Sequence, residues 1–198
     1  VDIFCGVENV DWENPFPAEY DVEKAAEYMK SFNPQIKEME KARRSFFGPN
    51  VLEFCQAADI VFMGLHGSNG EDGKVQATFD LLGIRYTGTG YLSSALAMDK
   101  SITKQFFRAH NVPTPNGVTL KKGQESEPLS SFGLELPVVV KPCCGGSSVG
   151  VYIAHTNEEY WQAMKDAFSY EPEVVVEEYI EGREFSVGVV DGKAYPII

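Results

Sequence analysis

The amino-acid sequence predicts an α/β protein: an open, parallel α/β unit followed by a second unit in which strands predominate. Three observations carry this. The apolar run Ile60-Val61-Phe62-Met63-Gly64-Leu65 lies between stretches with helical spacing, in a βαβα rhythm. The run Val138-Val139-Val140 passes through Lys141-Pro142 and Gly145-Gly146-Ser147-Ser148 and returns to strand-like residues at Val149. Near the end, Asp191-Gly192 separates two further strand-like runs, as a tight hairpin turn requires.

The elements follow in chain order. Residues 1–50 carry the weakest pattern, with a Pro- and Asn-rich loop at 12–17 and a strongly polar stretch of weak helical spacing at 21–42. Residues 51–58 read as a short helix leading into the strand 60–65, whose continuous apolar character predicts burial on both faces. That strand ends at His66-Gly67, where a doubly wound sheet places a ligand crevice. A helix over 74–82 follows, with Val75, Phe79 and Leu82 on one face, then a short strand at Arg85-Tyr86 and a helix to about Met98. Residues 100–110 form another helix, stopped by Pro113 and Pro115. Strands are predicted at 117–120, 137–141, 149–154 and 174–178. A helix with a Thr156-Asn157-Glu158-Glu159 capping box lies before the last of these. Strands at 184–190 and 193–198 flank the final turn.

The bulk numbers exclude several classes. The 198 residues are 43% hydrophobic and 12% aromatic, enough to bury a core. A net charge of −12 argues against a general nucleic-acid binder, which presents basic surface. No apolar run approaches the roughly 18–20 residues of a membrane helix, and no signal peptide is visible, so the cytoplasm is the expected compartment. Cys5, Cys55, Cys143 and Cys144 form neither a disulfide framework nor a metal-binding pair and read as reduced thiols. Cys143 and Cys144, set in the Gly/Ser turn, are candidates for oxidation or alkylation.

The Gly/Ser turn holds the parts of a phosphate clamp. Gly145 and Gly146 open backbone conformations that let successive N–H groups converge on an anion. Ser147 and Ser148 add hydroxyl donors, and Lys141 adds a positive charge. It is not a P-loop, because the lysine precedes the glycines on a strand instead of following them into a helix. By itself such a hairpin is an ordinary turn.

A wider order changes that reading. HG-x-x-GEDG-x-x-Q from His66, YTG-x-G from Tyr86, MDK from Met98, VVKP-x-x-GGSSVG from Val139 and VEEYIEGREF from Val176 follow one another at fixed spacing. Over residues 59–198 this resembles the D-alanine–D-alanine ligase family of the ATP-grasp superfamily. The resemblance implies a pre-ATP-grasp α/β substrate-side domain over 1–99, a small α+β ATP-grasp lobe over 100–184, and the first hairpin of the large lobe over 185–198. It implies ATP-dependent joining of two D-alanines through an acyl phosphate, for peptidoglycan synthesis, with ATP and Mg2+ as cofactors and a homodimer as the assembly.

The same resemblance assigns site residues. Lys100 and Lys141 match lysines on the ATP phosphates, and Ser147, Ser148 and Val149 belong to the loop that closes over them. Ser147 and Lys141 are the catalytic candidates, and Ser147 also borders the dipeptide site. Backbone groups of Glu178, Tyr179 and Ile180 would read the adenine edge, Glu177 would accept from its amino group, and Glu184 would hold the ribose hydroxyls. Glu178 stands where many relatives carry lysine, so its backbone matters more than its side chain. His66 matches a histidine beside the first D-alanine, and Glu71 helps to fix its loop; Gln76 and Tyr86 are structural. For each of these the plain alternative is a surface lysine, a turn hydroxyl or an ordinary strand end.

Val1 at the start, and an end just past a hairpin, read as cuts from a longer chain. The family's Mg2+ ligands, its acyl-transfer arginine and its N-terminal glycine-rich loop would then lie outside residues 1–198, and the isolated chain is expected to be inactive. The alternatives are ligation of D-alanine to D-lactate or D-serine, another carboxylate–amine ligation, and nucleotide binding without chemistry.

Overall fold

The computed structural model describes residues 1–198 other than Tyr20, Ser147 and Ser148, and the chain divides into two compact units, Val1–Tyr91 and Leu92–Ile198. In the first unit the polar stretch after residue 20 forms two helices, α1 (Val22–Ser31) and α2 (Ile36–Ala42), neither of which buries a residue. α1 carries a narrow apolar side of Val22, Ala25 and Met29, of which Ala25 and Met29 are half-buried, with charged residues among the rest. Asp21 caps α1 by accepting from the Lys24 N–H at 2.9 Å. The helices α3 (Val51–Ala57) and α4 (Lys74–Leu82) lie where the spacing predicts. A small core of Val75, Phe79 and Ile84 gathers Ile3, Phe47, Leu52, Val61, Met63 and Leu65 around it.

The strand at 60–65 is a correction. Among the described residues it makes a single parallel bridge, Val61 to Tyr86, held by Val61 N–H to the Arg85 carbonyl at 2.8 Å and Thr87 N–H to the Val61 carbonyl at 2.9 Å. Val61, Met63 and Leu65 pack on the core while Ile60 and Phe62 stay exposed. Apolar composition reports an appetite for burial; it does not supply neighbours, and residues 85–87 are too few to pair along the whole run.

The second unit contains α5 (Tyr91–Met98, starting on the last residue of the first unit), α6 (Lys100–Ala109) and α7 (Asn157–Tyr170). Its strands are β1 (Gly117–Lys121), β2 (Val138–Pro142), β3 (Tyr152–Ala154), β4 (Glu173–Glu178), β5 (Val187–Val190) and β6 (Lys193–Ile197). The first four build an antiparallel sheet in the order β1-β4-β2-β3. Strand alternation sorts its two faces. Val138, Val140, Val174 and Val176 are buried against Tyr160, Met164, Ala167 and Phe168 of α7. Thr156 caps α7 by accepting from the Glu159 N–H at 3.2 Å, and the Glu159 carboxylate accepts from the His155 N–H at 2.6 Å.

The other face carries Thr119, Val139, Lys141, Val175 and Glu177, and α6 attaches to it through one side. Ser101 meets the Thr119 hydroxyl at 2.8 Å, Lys104 reaches Glu177, and Arg108 donates to the Gly117 carbonyl at 2.8 Å. Residues 101, 104 and 108 recur at helical spacing and form a polar stripe where an apolar one is usual.

Two predicted strands begin later than the sequence suggests. Residues 149–151 form a turn, and β3 starts at Tyr152; Gly150 has φ +75°, and a Cβ there would lie 2.8 Å from the Pro142 ring. The final hairpin pairs from Ser186, which exchanges two backbone hydrogen bonds with Ile198, instead of residue 184; its turn has positive φ at both Asp191 (48°) and Gly192 (74°), and both its strands are exposed.

Candidate functional site

The Gly/Ser loop leaves β2 beside the N-terminus of α6. Asp99 caps that helix by accepting from the Ile102 N–H at 3.1 Å, which fixes Lys100 as its first residue. The Lys100 N–H donates to the Cys143 carbonyl at 2.9 Å, and its ammonium donates to the Gly145 carbonyl at 2.8 Å. From the other side the Glu171 carboxylate accepts from the Cys144 N–H at 2.8 Å. The root of the loop is thus tied down, while Gly145 (φ +97°), Gly146 and Val149 are exposed. Ser147 and Ser148 lie outside the described residues.

Lys141 and Glu177 are diagonal neighbours on the α6 face: Val139 faces Glu177 across the β2–β4 pair, and Lys141 stands two residues further on. The Lys141 ammonium donates to Glu177 Oε1. Lys104, one turn along α6 from Lys100, donates to Glu177 Oε2 at 2.6 Å. It also donates to the Pro115 carbonyl at 2.6 Å and to the Thr114 hydroxyl at 3.1 Å. Glu177 is 5% exposed and Lys104 8%. A buried carboxylate is costly unless paired and hydrogen-bonded, and here each oxygen meets an ammonium. Gly117 makes this arrangement possible on the β1 side, since a Cβ there would stand 2.6 Å from that of Glu177 and 2.5 Å from the Val176 carbonyl.

Beyond Glu177 the chain leaves the sheet. The Glu178 N–H donates to the Asn116 carbonyl at 2.8 Å, and its carboxylate accepts from the Asn116 N–H at 2.8 Å. The Tyr179 N–H donates to the Pro137 carbonyl at 3.2 Å, and its ring meets His155 edge-on at 6.4 Å. Ile180 and Glu184 are exposed. Lys100, Lys141, Glu177, Glu178, Tyr179, Ile180 and Glu184 therefore all belong to the second unit; Lys100 meets the glycine loop at Gly145, and Lys141, on the strand that leads into that loop, pairs with Glu177.

His66 and Glu71 belong to the first unit. His66 is exposed at the end of its extended segment. Glu71 closes the loop on itself: its carboxylate accepts from the Gly67 N–H at 2.6 Å, and its own N–H donates to the Gly67 carbonyl at 2.8 Å. Asp72 accepts from the N–H groups of Asn69 and Lys74 and from the Lys74 ammonium. Burial acts to raise its carboxyl, but these donors outweigh it and hold the group below the usual carboxylate value. Gln76 donates to the Gly70 carbonyl at 2.7 Å from a buried position, and Tyr86 donates to Asp80 at 3.0 Å. Both side chains serve the loop and its neighbouring helix.

The two loop cysteines correct the expectation of reactivity. Cys143 is 3% exposed, and burial, followed by the carboxylates of Asp99 and Glu173, pushes its thiol up to about 12. Burial and the Glu171 carboxylate raise Cys144 as well, so neither carries thiolate at neutral pH.

Lys104 is the residue that sequence reasoning missed. Its signal was present: a glutamate at the end of a buried valine run needs a buried cation, and a lysine four residues after Lys100 shares its helix face.

Comparison with known proteins adds a frame. A family described as D-ala D-ala ligase N-terminus matches residues 3–89, and one described as D-ala D-ala ligase C-terminus matches residues 106–198. The D-alanine–D-alanine ligase of Lacticaseibacillus casei is 47% identical over 152 residues, 77% of this chain and 42% of that protein. D-alanine–D-alanine ligase A of Bacillus cereus is 40% identical over 149 residues, 75% of this chain and 50% of that protein. Among solved structures, the Bacillus anthracis D-alanine–D-alanine ligase complexed with ATP superposes with a TM-score of 0.66 at 37% identity, covering 75% of this chain and 50% of that one. The VanG D-Ala:D-Ser ligase of Enterococcus faecalis gives 0.61 at 36%, covering 71% and 41%. The chain spans about half or less of the length of these relatives.

Proposed function

Because this chain belongs to the D-alanine–D-alanine ligase family, with an ATP-grasp fold, we propose that the whole protein joins two D-alanines at the expense of ATP and that this chain holds the phosphates and the adenine. The observation that carries the reading is the contact of the Lys100 ammonium with the Gly145-Gly146 loop, together with Lys141, which lies on the strand leading into that loop and pairs with the buried Glu177.

The residues divide the work as follows. Lys141 commits one donor to Glu177 and has two left for phosphate oxygens. Lys100 sits at the first position of α6 and can exchange the Gly145 carbonyl for a phosphate. The loop with Ser147, Ser148 and Val149 closes over the β- and γ-phosphates. The N–H groups of Glu178 and Tyr179 are committed to the protein, so the N–H of Ile180 is the free donor to the adenine edge. Glu177 retains lone pairs for the adenine amino group, and Glu184 takes the ribose hydroxyls. His66 and Glu71 serve the first D-alanine, and Ser147 borders the dipeptide site.

Catalysis is positioning and charge neutralisation: ATP transfers its γ-phosphoryl to the first carboxylate, and the second amine displaces phosphate from the acyl phosphate. Mg2+ belongs to this proposal as the counterion of ATP. Among the described residues no cluster of three or more His, Cys, Asp or Glu side chains could hold a metal, so no step is assigned to it here. We extend the proposal to the cytoplasm, to a homodimer, and to peptidoglycan synthesis. Among the described residues no helix is long and apolar enough to cross a membrane.

The likeness to a D-Ala:D-Ser ligase makes D-serine the second reading for the second substrate. Phosphate release from Mg·ATP by the complete protein, with D-alanine alone or paired with D-serine or D-lactate, tests both readings. Release with D-alanine alone supports the first, and release only with a paired D-serine supports the second. Release indifferent to any D-amino acid overturns both.

A further inference from the structure

Lys104 has no free donor. Its three N–H bonds go to Glu177 Oε2 at 2.6 Å, the Pro115 carbonyl at 2.6 Å and the Thr114 hydroxyl at 3.1 Å. A lysine so buried and so fully used cannot touch a nucleotide. What it does touch is the carboxylate that also holds Lys141. One carboxylate between two ammonium groups leaves a single net positive charge, and it can be presented by Lys141, whose side chain is 22% exposed against 10% for the side chain of Lys104. Without Lys104, Glu177 would neutralise Lys141 one to one, and the root of the loop would lose its surplus charge.

The contact also has a mechanical side. Lys104 stands one turn after Lys100 on the same face of α6. Pinning Lys104 to β4 sets the distance between Lys100 and Lys141. Glu177 immediately precedes the segment 178–180, so the same contact ties the phosphate side of the site to the adenine side.

We infer that Lys104 is a positioning residue of the nucleotide site: by holding Glu177 it leaves the Lys141 charge uncancelled and available to phosphate, and it registers Lys100 against Lys141. The inference rests on the nucleotide reading above. It concerns charge, so it is separable from a packing role by a compensating pair. Lys104→Met removes the surplus charge, whereas Lys104→Met with Glu177→Gln removes both partners and restores it through Lys141.

The test measures the affinity of the 198-residue chain for ATP and for adenosine by calorimetry, with circular dichroism melts of each variant. The readout is the ratio of ATP affinity to adenosine affinity, which a merely structural role would leave unchanged. Lys104→Met should lower that ratio about tenfold, as expected for one partly screened charge near the phosphates. The double variant should bring it back to within about threefold of the parent. A ratio unchanged in Lys104→Met, or not recovered in the double variant, overturns the inference. Wild-type chain that binds neither ATP nor adenosine overturns the nucleotide reading itself.

Discussion

Replacing Glu177 by leucine leaves two ammonium groups facing an apolar side chain, and the structure says which of them bears the cost. Lys141 is 22% exposed and can carry its head group toward water along its flexible stem. The Lys104 side chain is only 10% exposed and cannot. Breaking a buried pair by removing one partner costs about 3–5 kcal/mol. Lys104 keeps its bonds to Thr114 and Pro115, which places the cost at the lower end, about 3 kcal/mol. With a urea dependence of about 1.5 kcal/mol per molar, the midpoint should fall by about 2 M.

The assay can be confined to the second unit, because Trp161 lies on α7, 4.7 Å from the Tyr160 ring, while the other tryptophan, Trp12, lies in the first unit. Urea melts followed by Trp161 fluorescence in a Trp12→Phe background therefore report the sheet that carries Glu177. Adding Lys104→Met should recover at least about half of the loss, since exchanging a whole buried pair for apolar groups is often close to neutral. A shift below about 0.5 M, or a double variant no more stable than Glu177→Leu, would refute the reasoning.

Two further predictions follow from the titrating groups. Asp72 is held below the usual carboxylate value in the folded chain, so its contribution is present above the unfolded value of about 3.9 and is lost as pH falls through the lower folded value. Asp72→Asn should lower the melting temperature at pH 7 and make stability less sensitive to acid; an equal loss at pH 7 and pH 3 would contradict this. Cys143, with its thiol pushed up to about 12, should carry about one part in ten thousand of thiolate at pH 8. Iodoacetamide should then label it roughly a thousand times more slowly in the native chain than in urea, and equal rates would show that the site is open.

The sequence made the second unit more legible than the first. Val138–Val140 and Val174–Val176 are short apolar runs bounded by turn residues, and each finds sheet neighbours on both sides in β2 and β4. Residues 60–65 carry the same apolar signal, yet only Val61 is bridged, because composition does not count neighbours. The helices α1 and α2 have no fully buried residue, and charged side chains interrupt their apolar positions. Within the site, Lys100 and Lys141 could be found from their motifs, whereas Lys104 offered only its place four residues after Lys100 and the unmet charge of a glutamate ending a valine run. Its role depends on a register between α6 and β4 across 73 positions of sequence. Glu178 shows the complementary limit: a side chain facing Asn116 is an anchor for the strand entry, something that its place in a motif does not reveal.

The proposed function makes the glycine loop and the segment after Glu177 one nucleotide site in the second unit. Amide hydrogen exchange of the chain with and without ATP tests it most directly. ATP should slow exchange in peptides spanning residues 143–151 and 177–184, with Ile180 among the protected amides, and adenosine should protect the second segment alone. Protection confined to residues 1–91, or none at saturating ATP, would contradict it.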